Sequence, residues 1–134
     1  MTTSLKSAVE SYLRAKSLAS STLENVMGAR YVVVNNVPYT FDSIQSIGQG
    51  TGVFQTGRRP IHQDPGPDGL LGTADDSGTI IQGFEREIRI TNVNNPLRPT
   101  PPNPITERQI TVIIYYLDKG FERTETLSTN VCNY

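Results

Sequence analysis

The stretch DPGPDGLLGTADD, Asp64 to Asp76, gathers four aspartates, three glycines and two prolines. Four carboxylates confined to one turn repel one another, and the glycines and prolines leave no helix or strand to spread them apart. A cation among them would relieve that repulsion. Calcium takes roughly six to eight oxygen ligands from carboxylates, carbonyls and water, and needs a backbone that folds several of them onto one point. Asp64, Asp68, Asp75 and Asp76 are the candidate metal ligands, with carbonyls near Gly66 and Leu70 completing the shell. The alternating acids and closing glutamate of an EF-hand are absent. Magnesium keeps its waters and demands stricter geometry, so it fits less well. The competing reading is a solvated loop whose aspartates cap turns through their own backbone.

Catalytic chemistry finds little to work with. His62 stands beside Arg58, Arg59 and Gln63 with no serine or cysteine motif around it, and a solitary histidine of that kind is more often solvated than a general base. Glu85 and Glu87 share the polar side of an alternating segment, so their simplest role is its solvent face. Cys132, the only cysteine, lacks the basic neighbours that activate a thiol, and alone it excludes both an intrachain disulfide and a cysteine-rich zinc site. No phosphate-cradling glycine motif precedes a helix. The expectation is a protein without an enzymatic reaction.

Charge narrows the partners. Twelve Lys and Arg against 13 Asp and Glu give a net charge of -1 over 134 residues, which offers no drive for binding nucleic acid or an acidic membrane. No segment reaches the roughly 18 apolar residues of a membrane span, and no secretory signal core of about 7–15 apolar residues follows a basic start. The size suits one globular domain.

Helix and strand patterns flank the acidic loop. Residues Thr3 to Met27 lack glycine and proline and set Leu5, Ala8, Val9, Tyr12, Ala15, Ala19, Leu23 and Val26 at helical spacing, with Gly28 as the stop. Leu13, Ala19, Leu23 and Val26 are expected to pack on a sheet. Residues 29–83 read as irregular loops and short extended pieces, RYVVVNN and PYTFDSI among them, enclosing the acidic loop 64–76. Residues 84–134 read as an antiparallel meander. In GFEREIRIT, Phe84, Arg86, Ile88 and Ile90 share one face; RQITVIIYYL is apolar on both faces and should be central; GFERTETLST follows the tight turn LDKG. NVNNPLRPTPPNPIT, with five of the nine prolines, must be a surface connection. The fold class expected is α+β, a long N-terminal amphipathic helix packed on a three- to four-stranded antiparallel sheet.

That order of elements resembles the periplasmic part of type IV pilin-like proteins, nearest the minor pilins and the minor pseudopilins of type II secretion. SLASSTLENVMGARY is similar to the second half of the pilin helix, RQITVIIYYLDKGFERTETLST to the final hairpin of that subgroup, and the aspartate-rich loop to calcium loops in some pseudopilins. The resemblance implies a non-catalytic filament subunit, exported in bacteria, anchored in the inner membrane by an apolar helix start upstream of Met1, and later placed in a filament or at the cell surface. It also implies that Leu5, Ala8, Val9 and Tyr12 form an interface with other pilin or pseudopilin subunits, and it makes Tyr12 and Leu5 less buried than Leu23. The cleavage site and hydrophobic start of the family are not in this sequence. The alternative is a calcium-dependent surface binding module or adhesin, whose acidic loop meets a ligand directly.

Overall fold

The structure, a computed structural model, describes residues 2–98 and 104–133, with helix side chains described from residue 8 onward. One helix, α1 (Thr2–Gly28), is followed by the small hairpin β1 (Val33–Val34) and β2 (Val37–Pro38). The sheet then forms from β3 (Gly57–Asp64), β4 (Ser77–Asn92), β5 (Glu107–Asp118) and β6 (Phe121–Cys132), antiparallel throughout in the order β3-β4-β5-β6. Lys119 and Gly120 close the β5–β6 hairpin with φ of 53° and 81°, the left-handed pair that a two-residue turn matched to strand twist requires. The proline-rich connection is described only at its ends; residues 99–103 lie outside the described residues.

β5 is central and apolar on both faces, as its sequence demands. Ile110, Val112, Ile114 and Tyr116 face α1 and are buried, while Ile113 on the other face is buried beside Glu87 and Thr126, its strand partners. The helix presents Ala15, Ala19, Thr22 and Val26, all fully buried, and packs chiefly on β5 and β6. Alanine at two of those positions brings the helix close to the strands. Leu13, expected in that stripe, is instead 56% exposed.

The helix-led, pilin-like layout is therefore corrected. Sheet strands of 8, 16, 12 and 12 residues outweigh the 27-residue helix, so the helix is short beside the sheet. Width explains this: four strands at about 4.8 Å spacing span about 14 Å, more than the 10–12 Å of one helix with its side chains. The uncovered half, over β3 and β4, is closed by irregular chain whose one short helical turn is the 3-10 turn Phe41–Ser43. Phe41, Ile44, Phe54 and Leu70 from that chain join Ile61 of β3 and Ile88 of β4 in one core with the helix residues.

Strand boundaries shift accordingly. GRRPIHQD, read as loop, is β3, and β4 begins at Ser77 rather than near Phe84. β3 was hard to see because Pro60 and two register shifts interrupt its pairing. Arg108, 5% exposed at the start of β5, pins the irregular segment by donating to the Phe41 carbonyl at 2.6 Å and stacking over the Phe41 ring at 4.3 Å.

Candidate functional site

The acidic loop folds back over β4 beside α1, and its four aspartates go to three different places. Asp64 ends β3 and accepts from the Gly66 N–H at 2.8 Å. Asp68 and Asp75 meet at Thr73, whose hydroxyl lies 2.7 Å from Asp68 Oδ2 and 2.7 Å from Asp75 Oδ1. Asp76 reaches both ways: Oδ1 lies 3.3 Å from the Thr73 hydroxyl, while Oδ2 accepts from the Gly72 N–H at 2.7 Å and pairs with the Arg86 guanidinium at 3.3 Å, with both side chains under a tenth exposed. The positive charge that the quartet needs is thus supplied in part from within, by an arginine of β4.

Arg86 was legible as a strand residue on the apolar side but not as a counterion. An arginine alternating with Phe84, Ile88 and Ile90 faces the core, and a core arginine requires an acid. That signal was in the sequence. Arg86 also donates to the Thr22 hydroxyl of α1 at 3.3 Å, while Thr22 donates its own proton to the Leu18 carbonyl. The Leu71 N–H donates to Asn25 Oδ1 at 3.3 Å. Helix, loop and sheet are joined at one polar seam.

Around Thr73 the proton count is short. Its oxygen has one hydrogen and four acceptors within 3.3 Å: Asp68, Asp75, Asp76 and the Leu70 carbonyl. Backbone N–H groups take up part of the charge, Leu70 donating to Asp68 Oδ1 at 2.9 Å and Asp68 to Asp75 Oδ2 at 3.1 Å. Burial pushes the Asp68 carboxyl above its ordinary range, and the neighbouring Asp75 adds to the rise. Burial also acts upward on Asp75, but hydrogen bonds from Thr73 and the Asp68 backbone outweigh it and hold Asp75 low. Tyr39 is raised by burial and then by the charges of Asp68 and Asp75, and it lines an open cavity of about 340 Å³ with Val34, Ile47, Val53, Asp68 and Asp75.

These oxygens fit a cation only as a reduced set. Among the described residues no group of three or more His, Cys, Asp or Glu side chains could hold a metal ion. What converges on the Thr73 hydroxyl is two carboxylates at 2.7 Å, with the Leu70 carbonyl and Asp76 Oδ1 at 3.3 Å; the other Asp76 oxygen is engaged by Arg86, and Asp64 by its own turn.

The remaining sites read as follows. His62 lies in β3, not in a loop, with Nδ1 3.2 Å from the Gly78 carbonyl. Cys132 is half-buried, its thiol 3.5 Å from Glu107. Glu85 and Glu87 belong to an ionic lattice on the outer face of the sheet. Arg58 stacks on the Tyr115 ring at 3.9 Å and bridges Glu85 to Glu122, while Glu87 accepts from the Tyr115 hydroxyl at 2.5 Å. On the helix, Val9 is 47% and Tyr12 41% exposed, Ala8 is half-buried, and the Leu5 side chain lies outside the described residues. No helix among the described residues is long and apolar enough to cross a membrane. No protein-family model, curated protein or solved structure matches the chain.

Proposed function

We propose that the chain is a non-catalytic structural subunit of an exported bacterial filament, of the minor pilin or pseudopilin kind, joined to neighbouring subunits through α1. The observation that carries this reading is the helix surface: Val9, Tyr12 and Leu13 stand exposed within three turns of the fully buried Ala15 and Ala19. Apolar side chains grouped on one exposed stretch mark a contact surface more often than scattered ones do. The reading rests on that surface and on the residue stretches resembling pilin segments, and the fold is not its support. It is tested by reading the coding sequence upstream of Met1 and by Val9→Glu with Leu13→Glu in the native host. An in-frame apolar stretch of about 20 residues and loss of assembly in folded variants support it. A cleavable secretory signal with full function in those variants directs the chain to the surface-binding alternative.

Calcium enters the same proposal as a ligand of the Asp68–Asp75 pair, favoured by one specific observation: a single hydroxyl proton faces two carboxylates at 2.7 Å. The ion would supply charge neutralisation and fix the loop to the sheet. Binding only the folded state, it raises stability by about 2.7 kcal/mol when free calcium is 100 times its dissociation constant. An unfolding midpoint that is the same in chelator and in millimolar calcium removes calcium from the reading.

A further inference from the structure

The two edges of the sheet end differently. β3 carries Pro60, which has no N–H to offer, the exposed Arg58 and Arg59, and two register shifts against β4. Such features keep an edge from accepting another strand. β6 lacks the proline and the register shifts, and its charged residues are Glu122, Arg123 and Glu125. It contains no proline or lysine, runs in unbroken register against β5 from Phe121 to Cys132, and among the described residues no strand pairs with its other side. A bare edge of this kind offers its backbone N–H and C=O groups to a further strand.

Charge selects the strand that fits. On the helix-facing side of β6, Arg123 and Glu125 stand two residues apart. Pairing β6 antiparallel with itself about a two-fold axis at Thr124 sets Arg123 opposite Glu125 of the second copy, twice, and Phe121, 70% exposed, opposite Leu127. Centring the axis on Arg123 or on Glu125 places like charges face to face, which destabilises a sheet. Centring it on Thr126 sets Glu125 against Leu127 and leaves Arg123 only Asp118 of its own chain, 3.8 Å away. Of these registers, the one at Thr124 alone sets Glu125 opposite a base.

The same register brings the helices together. Arg14 lies 5.6 Å from the centre of the Phe84 ring, and Phe84 pairs with Tyr116, which pairs with Arg123, so the Arg14 level of α1 is the level of the axis. Glu24 and Met27 share a groove with Asn130 and Cys132, which identifies the β6 side of the helix. Helical spacing puts the exposed Leu13 on that side. With strands about 4.8 Å apart, two helices seated over β5 and β6 meet near the usual packing distance of 8–10 Å.

We propose that a second copy of this chain pairs edge to edge through β6 about a two-fold axis at Thr124, with Leu13 of both helices meeting beside it. The contact shares Leu13 with the helix surface of the filament reading, but its test reads Arg123 and Glu125 on the sheet edge, so its failure leaves that reading untouched. The test is sedimentation velocity of the full chain over a concentration series, for wild type, Arg123→Glu, Glu125→Arg and the double exchange. Wild type is expected to dimerise, each single variant to weaken the dimer at least about tenfold, about 1.4 kcal/mol, and the double variant to recover it. Arg123 is 58% exposed, so the monomer should keep its fold, which near-UV circular dichroism checks. A wild type that stays monomeric at millimolar concentration, or folded single variants that dimerise like wild type, would overturn the proposal.

Discussion

Two halves of one layer cover this sheet, and they do so by different physics. Over β5 and β6 lies a helix, which satisfies its own backbone hydrogen bonds and needs only the narrow stripe Ala15, Ala19, Thr22 and Val26 to dock. Over β3 and β4 lies irregular chain, which has no regular ladder to satisfy it. Some of its N–H groups find carbonyls of the same segment, as Ile47 does at Phe54 and Gln55 at Gly72, and others are taken up by side chains: Asp68 accepts from Leu70, Asp75 from Asp68, Asp76 from Gly72, and Asp42 from Thr51. The aspartates that suggest a solvated or metal-binding loop are in large part the hydrogen-bond acceptors that let a turn-rich segment pack on a core. A loop rich in polar residues is thus not always a loop on the surface.

The comparison breaks most readily at Arg86. If the irregular half is held by the buried Arg86–Asp76 pair, Arg86→Met strands an uncompensated carboxylate and should cost about 3–5 kcal/mol in urea unfolding. Burial already pulls the Arg86 guanidinium below its ordinary range, with Asp76 opposing, so the arginine is charged at a cost that the pair offsets. Adding Asp76→Asn to Arg86→Met should recover most of the loss, since the amide keeps an acceptor for Gly72 without the charge. A single variant that loses under about 1 kcal/mol would mean that apolar contacts of Phe54 and Leu70 hold the loop, and that both halves dock alike.

A matched pair of glycines sharpens the same contrast. Gly72 in the loop has φ +87°, and a Cβ there would run into Ile88 Cδ1. Gly72→Ala should therefore cost at least the roughly 1–2 kcal/mol of a left-handed L-residue. Gly28, at the end of α1, has φ −83° and open space at its Cβ position. Gly28→Ala should be neutral or stabilising by up to about 1 kcal/mol, through the unfolded chain. Thermal melts of the two variants side by side give the answer. Equal effects would show that the irregular half is not tightly packed.

What could be read in advance follows the same division. The helix and the β4–β5–β6 meander declare themselves through periodicity, down to the central place of Ile110–Leu117 between β4 and β6. The irregular half has no period to read. Its core residues Phe41, Ile44, Phe54 and Leu70 are single apolar positions among polar ones, and only the folded chain shows that they converge. Within the acidic loop, residue type was informative and spacing was not. Asp68 and Asp75 are seven apart in sequence yet meet closely at Thr73, whereas Asp76, next to Asp75, commits one oxygen to Arg86 of β4. Leu13 misled because its apolar type outweighed its place: at 3.6 residues per turn it lies on the far side of the helix from Ala15, Ala19, Thr22 and Val26.

The smallest expected effect tests whether the loop carries charge at Thr73 or a shared proton. Asp68 has its folded pKa raised, chiefly by burial, so the folded state holds its proton more firmly than the unfolded state does. Its stabilising contribution is complete below the ordinary carboxylate range and is lost as pH rises through the folded value. Asp75 is held low and works in the opposite sense, its contribution being lost only as pH falls below the ordinary range. The two opposed shifts keep the net slope shallow. Asn at position 68 mimics the protonated acid, so in chelator Asp68→Asn should gain stability relative to wild type as pH rises from about 4 toward 7. Urea unfolding at several pH values measures this. In saturating calcium the order should invert at neutral pH, because the amide lacks the charge that a bound ion would meet. A difference between the two proteins that does not change with pH in chelator would show that Asp68 is ionised in both states, with the Leu70 N–H and the Thr73 hydroxyl enough to hold its charge.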